Sequence, residues 1–339
     1  MSAIEKSYDF FLGCDTSKAK LNFALADAKG EIVCEFEVRN QFKHICAALN
    51  KLLRTHHISA QSLLLCVEST GIYNAWLLKV VTLLGIDAWV EHPLKIRKTY
   101  EPMRGKNDSL DARRIARYAW RYVDEARLYR QRQSHIHSLT RLLRLRQKLV
   151  QERTRHKNRL RAINQFGGEE IEKQVLGRLI QNLDEEIQNI EQAMQQIIQT
   201  HKQLKERFKL LMSIPGVGFL TACMFIVYTN DFEDFDDPRK FACHAGAAPF
   251  VFASGQYTSK AATSQRAQKE VKGILSQAAI AAAKSNSRLG RYYQRKLAEG
   301  KAEALVLNNM RNKIIHIVFA IIRTGKMYDD NYVPTSLAA

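Results

Sequence analysis

The sequence predicts an α/β domain over residues 1–125, a long helical coiled-coil segment over 126–208, a mostly α C-terminal domain over 209–327, and a tail at 328–339. Three observations carry that division. Short apolar strands alternate with helical patterns in the first third. A basic stretch free of Gly and Pro then gives way to a heptad of leucine and isoleucine. Beyond it, tight Gly and Pro turns separate apolar helices.

YDFFLGCDTSKAKLNFALADAKGEIVCEFEV reads as strands joined by turns, with Ala28-Lys29-Gly30 marking a hairpin. HICAALNKLLRTH has helical spacing. SLLLCVES is a short buried strand, because an apolar run of that length between polar residues suits a strand covered on both faces. IYNAWLLKVVTLLG predicts an apolar helix closed by Gly85, and IDAWVEHP a strand ended by Pro93. A helix around Asp111 follows.

From Gln131 to Phe166 the pattern turns helical. Twelve Lys or Arg and one acid, Glu152, lie between Arg127 and Arg161, and Gly167-Gly168 ends the run. In the next helix Leu176, Leu183, Ile190, Ile197, Leu204 and Leu211 recur every seven residues, with Ile180, Ile187, Met194, His201 and Phe208 in the companion positions. That seam predicts an antiparallel hairpin, a dimeric coiled coil, or both. SIPGVGFLTACMFIVY opens the C-terminal domain, FACHAGAAPFVFASGQYTS reads as loop-rich, and helices run to about Thr324 before a loose tail.

Composition narrows the partners. Against 34 Asp and Glu the 339-residue chain has 52 Lys and Arg, a formal net charge of +18. A clustered excess of this size points to a polyanion, above all nucleic acid. The six cysteines show no CxxC pair and lie mostly in apolar runs, as reduced core thiols do. No leader pattern is present and IIHIVFAII is too short to span a bilayer, so a cytoplasmic, nucleoid-associated protein with no membrane partner is expected. The absence of a P-loop or dinucleotide fingerprint gives no sign of ATP or NAD. His56-His57 and His135-x-His137 lack a second pair at zinc spacing.

Within this basic chain, four acids stand out. Asp15 closes the first apolar strand and Glu68 closes a buried one, positions that are costly for a charge unless it is paired or bound to a cation. Asp108 and Asp111 are spaced i, i+3, on one helical face. Taken singly, Asp108 reads as a helix N-cap, Asp111 as a partner for Arg114, and Glu68 as a cap of the next helix. Taken together they suit hard cations, Mg²⁺ or Mn²⁺, which could act on a phosphodiester.

GCDTSK, VESTG and KNDSLDARRIA together resemble the DEDD transposases of insertion sequences, relatives of the Piv DNA invertase. SIPGVGFLTA, AGAAPF, ASG and VLNNMRNKIIHIVFAIIRTGKMYD extend the resemblance over nearly the whole chain. It implies a ribonuclease-H-like (RuvC-like) N-terminal domain whose metal-binding tetrad is Asp15, Glu68, Asp108 and Asp111. It also implies a serine nucleophile, matched by Ser254 in FASG, with Ser259 and Ser264 as alternates. A phosphoserine link would conserve bond energy for rejoining. After the serine this chain reads AATSQRAQKEVK, where many relatives are rich in Gly and Arg. The resemblance further implies donor and target DNA, a structured bridge RNA and a dimeric or tetrameric assembly.

Candidate nucleic-acid contacts are Lys18 beside Asp15; Arg97, Lys98, Arg104, Lys106 and Arg113 around the Asp pair; and Arg141, Arg144, Arg155 and Arg159 on the arginine-dense helix. Gly216 and Gly218 of IPGVG resemble a helix-hairpin-helix turn, and Lys260 and Arg266 follow Ser254. Tyr118, Tyr292 and Tyr293 are candidates to stack on bases. Two other readings stay open: a metal-dependent junction resolvase using water, and a non-catalytic nucleic-acid binder.

Overall fold

The structure, a computed structural model, describes residues 7–69, 71–99, 108–131, 133–250 and 267–332, with strand backbone at 253–254, 257–258 and 262–263. The side chains of residues 98, 108, 109, 249 and 250 and of those strand pairs lie outside the description. The chain divides into two compact units, 1–131 and 132–339.

Unit 1 is a five-stranded mixed sheet. β1 (Phe10–Thr16), β2 (Lys20–Ala26) and β3 (Ile32–Arg39) form an antiparallel meander. β4 (Leu63–Glu68) and β5 (Asp87–Glu91) continue the sheet in parallel on the other side of β1, in the order β3-β2-β1-β4-β5. β1, β2 and β4 are apolar runs because both their faces are covered, whereas edge strand β3 alternates. α1 (Phe42–Thr55) and α2 (Ala75–Leu84) cover one face, burying Ile45, Leu49, Leu77 and Val81 against Leu12, Phe23 and Leu65. As expected, α2 ends at Gly85, in the left-handed region at φ 68°. Pro93 does more than stop β5: it is the first residue of α3 (Pro93–Lys98), which His92 caps by accepting the Leu94 N–H at 3.2 Å. α4 (Asp108–Arg121) covers the other face with Ala112, Ile115, Ala116 and Ala119.

In unit 2, α5 (Ser134–Phe166) and α6 (Glu170–Thr200) form an antiparallel hairpin. Its register is marked by ion pairs from Arg146 to Glu191 at 2.6 Å, Arg153 to Asp184 at 2.5 Å and Arg159 to Glu172 at 3.6 Å. The seam expected to run on as one helix does not: His201 is extended (φ −111°, ψ 106°), and a separate α7 (Lys202–Met212) takes up Leu204 and Leu211. Here the His201 ring turns back, with Nδ1 at 2.8 Å from the Ile197 carbonyl, and packs on His135 at 4.1 Å. The hydrophobic seam outlasts the helix because burial, not helix continuity, sets it.

The base of the hairpin shares one core with α8 (Phe219–Tyr228), α9 (Pro238–His244), α10 (Lys269–Ala283), α11 (Arg288–Ala298) and α12 (Glu303–Thr324). The hairpin and the C-terminal helices share this one core within 132–339. FACH belongs to α9, not to a loop. Between α9 and α10, β6 (Pro249–Phe250) pairs with β9 (Ala262–Thr263), and β7 (Ala253–Ser254) with β8 (Tyr257–Thr258). α12 is long and apolar enough to cross a bilayer by length and composition, contrary to the reading of IIHIVFAII. Its apolar side places Met310, Ile314 and Val318 in the shared core, and Val306 is buried as well. Nor is the tail loose up to Tyr332. Tyr328 N–H donates to Ser213 Oγ at 2.9 Å, and Asp330 pairs with Arg291 at 2.6 Å. The six cysteines are free thiols.

Candidate active site

Asp15 and Glu68 reach the same edge because β1 and β4 are parallel neighbours, with Cys14 level with Val67. The strand ends are tied by a buried amide. Asn74 accepts the Thr16 hydroxyl at 2.8 Å and donates to the Glu68 carbonyl at 2.6 Å. α4 brings Asp111 to this edge by lying directly on β1, which Gly13 permits: a side chain there would overlap the Ala112 carbonyl and the Ala116 backbone nitrogen.

The proximity registers electrostatically. Burial pushes the Glu68 carboxyl up, and the negative charges of Asp15 and Asp111 push it further. Arg97 and His92 act in the opposite direction, without cancelling the rise. Asp111 is also held by Arg114 at 3.1 Å, the surface pairing weighed from the sequence. Asp108 begins α4, its side chain outside the described residues. Among the described residues no three acids, histidines or cysteines close around one point as a formed metal site. The donor set nevertheless suits a hard cation: these are carboxylate oxygens whose mutual repulsion a divalent ion would relieve.

Sequence reasoning passed over Glu91, which ends β5 level with Glu68. It is buried yet satisfied, accepting the His92 N–H at 2.7 Å and pairing with Lys95 at 3.1 Å. The strand-ending acid in WVEHP was the available signal. Glu91 braces the edge beside Glu68, whose carboxyl is raised despite the opposing effect of Arg97 and His92.

The cations sort less simply than their sequence neighbourhood suggested. Lys18 is exposed in the β1–β2 turn, and Arg97 is exposed on α3, acting on Glu68. Lys98 is described only by its backbone, and Arg104, Lys106, Lys260, Arg266, Ser259 and Ser264 lie outside the described residues. Arg113 pairs with Glu35 of β3 at 2.6 Å, pinning α4 to the sheet. Arg155 pairs with Glu152 at 2.8 Å and Arg159 with Glu172, so α5 does find internal acids, supplied largely by α6. Arg141 and Arg144 are exposed. Gly216, at φ 84°, leaves room for Ala278 and Ala282 of α10, so its lack of a side chain serves packing. Gly218 caps α8 and is exposed. Tyr118 packs on Trp89 at 5.1 Å in the core, and Tyr293 donates to Glu303 at 2.8 Å. Ser254 ends β7, level with Tyr257 of β8.

Comparison with known proteins adds the relationship. A transposase family model of the DEDD, IS110 type matches residues 12–165, and the Transposase IS116/IS110/IS902 family model matches 208–294. The chain is 25% identical over 290 residues to the pilin gene-inverting protein of Moraxella bovis, covering 82% of this chain and 85% of that protein. It is 28% identical over 120 residues to an IS110 insertion-element protein of 43.6 kDa from Streptomyces coelicolor. That match spans 35% of this chain and 30% of the relative's own length.

Proposed function

The chain belongs to the IS116/IS110/IS902 transposase family, and from that premise we propose that it cuts and rejoins DNA strands as a recombinase. The observation that carries this reading is the shared edge of Asp15, Glu68 and Asp111, where a half-buried carboxyl is raised by its burial and by the two other acids. Asp15, Glu68, Asp108 and Asp111 would hold Mg²⁺ or Mn²⁺, whose chemistry is to neutralise charge on a phosphodiester. The ribonuclease-H-like reading of unit 1 draws support from an acid on the first strand of a meander and another on the adjacent parallel strand.

Ser254 is the nucleophile in this reading. Its oxygen bonds to phosphorus, and one deoxyribose oxygen leaves with a proton; the reverse attack rejoins a strand and frees the serine. Arg97, poised on Glu68, and exposed Lys18, Arg141 and Arg144 would engage backbone phosphate. The net charge of +18 suits an assembly holding donor DNA, target DNA and a structured bridge RNA in a dimer or tetramer.

The deciding experiment incubates Ser254→Ala, Asp111→Asn and the parent protein with flanking element DNA and Mg²⁺. A protein–DNA adduct in the parent, lost in Ser254→Ala, is expected. Undiminished cleavage by Ser254→Ala would assign attack to water. Sequencing RNA that co-purifies tests the guide: one structured RNA from the flanking DNA supports it, and bulk ribosomal RNA rejects it.

A further inference from the structure

α12 carries a charge that the fold leaves unanswered. Arg311 is half-buried; its Nε is sealed from solvent and has no hydrogen-bond partner. The adjacent Asn312 side-chain oxygen is sealed and unsatisfied as well. Two other charged residues have such atoms, but Arg153 is paired with Asp184, and Asp231 with Arg207. Arg311 forms no ion pair among the described residues.

The surroundings explain why no acid reaches it. α12 packs on α7, α9, α10 and α11, and neither α9 nor α11 contains an acid. Glu270 at the start of α10 accepts the Tyr228 hydroxyl at 2.6 Å. Glu303 of α12 is bonded to Tyr293, and Glu299 to Lys296 at 2.5 Å. Glu206 of α7 is exposed. Two residues beyond Arg311, Lys313 sits 4.6 Å from the Tyr292 ring, in the field of Arg288, Arg295 and Lys296. Burial alone lowers the Arg311 guanidinium from its ordinary range. A half-buried charge without a counter-charge costs stability, and an anionic ligand would supply the missing counter-charge.

Its position suggests what completes it. One turn earlier on the same helix, the Asn308 side chain donates to the Ala247 carbonyl at 3.1 Å. Ala247 leads directly into β6 and the strands that include Ser254. We propose that Arg311 is a phosphate-binding residue, holding a DNA backbone phosphate at the α12 face that anchors the start of the Ser254 segment. A planar guanidinium can offer two parallel N–H donors to phosphate oxygens. The inference rests on the reading of the chain as a DNA recombinase, but its test does not require recombination.

The full-length protein is compared with Arg311→Met and Arg311→Lys. The probes are a fluorescein-labelled 30-base-pair duplex and a single-stranded RNA of equal length. With Arg311→Met, thermal stability without nucleic acid is expected to hold or rise, because an uncompensated charge is removed. Duplex affinity should fall about tenfold, and the slope of log affinity against log salt should shrink by about 1. Arg311→Lys should restore the slope and only part of the affinity. A fall in melting temperature with unchanged duplex affinity would make Arg311 structural and overturn the proposal. A loss confined to the RNA probe would overturn the choice of DNA. If every variant binds as proposed while the parent yields no DNA adduct, the recombinase reading fails and the phosphate site stands.

Discussion

The sheet edge of unit 1 and the α5–α6 hairpin of unit 2 both crowd charged side chains, and they resolve the crowding in opposite ways. At the edge, Asp15 and Asp111 push on Glu68, and the nearby Arg97 and His92 do not offset them. Along the hairpin, Arg146, Arg153 and Arg159 each meet an acid from the facing helix. The hairpin's charges serve its register. At the edge the Glu68 carboxyl stays raised even with Arg97 and His92 nearby. Counting charge along a sequence cannot separate the two cases, because the deciding partners come from elsewhere in the chain.

Breaking the edge has the largest expected effect. Gly13→Val should force α4 off β1 and cost about 3 kcal/mol or more. Loss of near-ultraviolet circular dichroism and of DNA cleavage together would show it; a folded, active variant would contradict the close approach of α4.

Glu68→Gln should lower cleavage by about 100-fold or more, the scale for removing one charge-stabilising group, yet leave the protein folded. Its stability should move the other way. The folded carboxyl is raised, so its protonated form contributes stability below the ordinary carboxylate range, and that contribution is lost as pH rises through the raised value. Without divalent ions, Glu68→Gln should therefore melt higher than the parent at pH 7 and match it near pH 4. Added Mg²⁺ should stabilise the parent more than the variant.

The hairpin gives smaller effects. Replacing Arg141 and Arg144 together with Ala should reduce the salt slope of DNA binding by about 2. Replacing Arg153, already held by Asp184, should leave that slope nearly unchanged. A double-mutant cycle on Arg153 and Asp184 should return only a small coupling, because both side chains remain partly open to solvent. The smallest effect is expected at Arg155→Gln: within about 0.3 kcal/mol in denaturant melts, since its pair with Glu152 is a local, exposed one.

Much of unit 1 was legible because its signals are local. Gly85 and the apolar runs mark β4, β5, α1 and α2 to within about three residues, and the stretch that holds β1 to β3 reads as strands joined by turns, with Gly30 in the last of them. Asp15 and Glu68 could be placed at strand ends by the same means. What escaped depends on contacts distant in sequence. Glu91 looked like any strand-ending acid until Tyr118 and Lys95 were seen beside it. The heptad spelled out burial and concealed the break at His201, since Leu204 and Leu211 stay buried on either reading. The pairing of β6 with β9 was invisible because two-residue strands leave no periodicity.

Gly13 has one last consequence. With no side chain between strand and helix, the gap between β1 and α4 is gauged by main chain against main chain. A spacer made of backbone cannot change rotamer or be trimmed by a conservative replacement. The span from Asp15 to the aspartates of α4 is therefore inherited from the architecture itself, and the surrounding surface can diverge without retuning it.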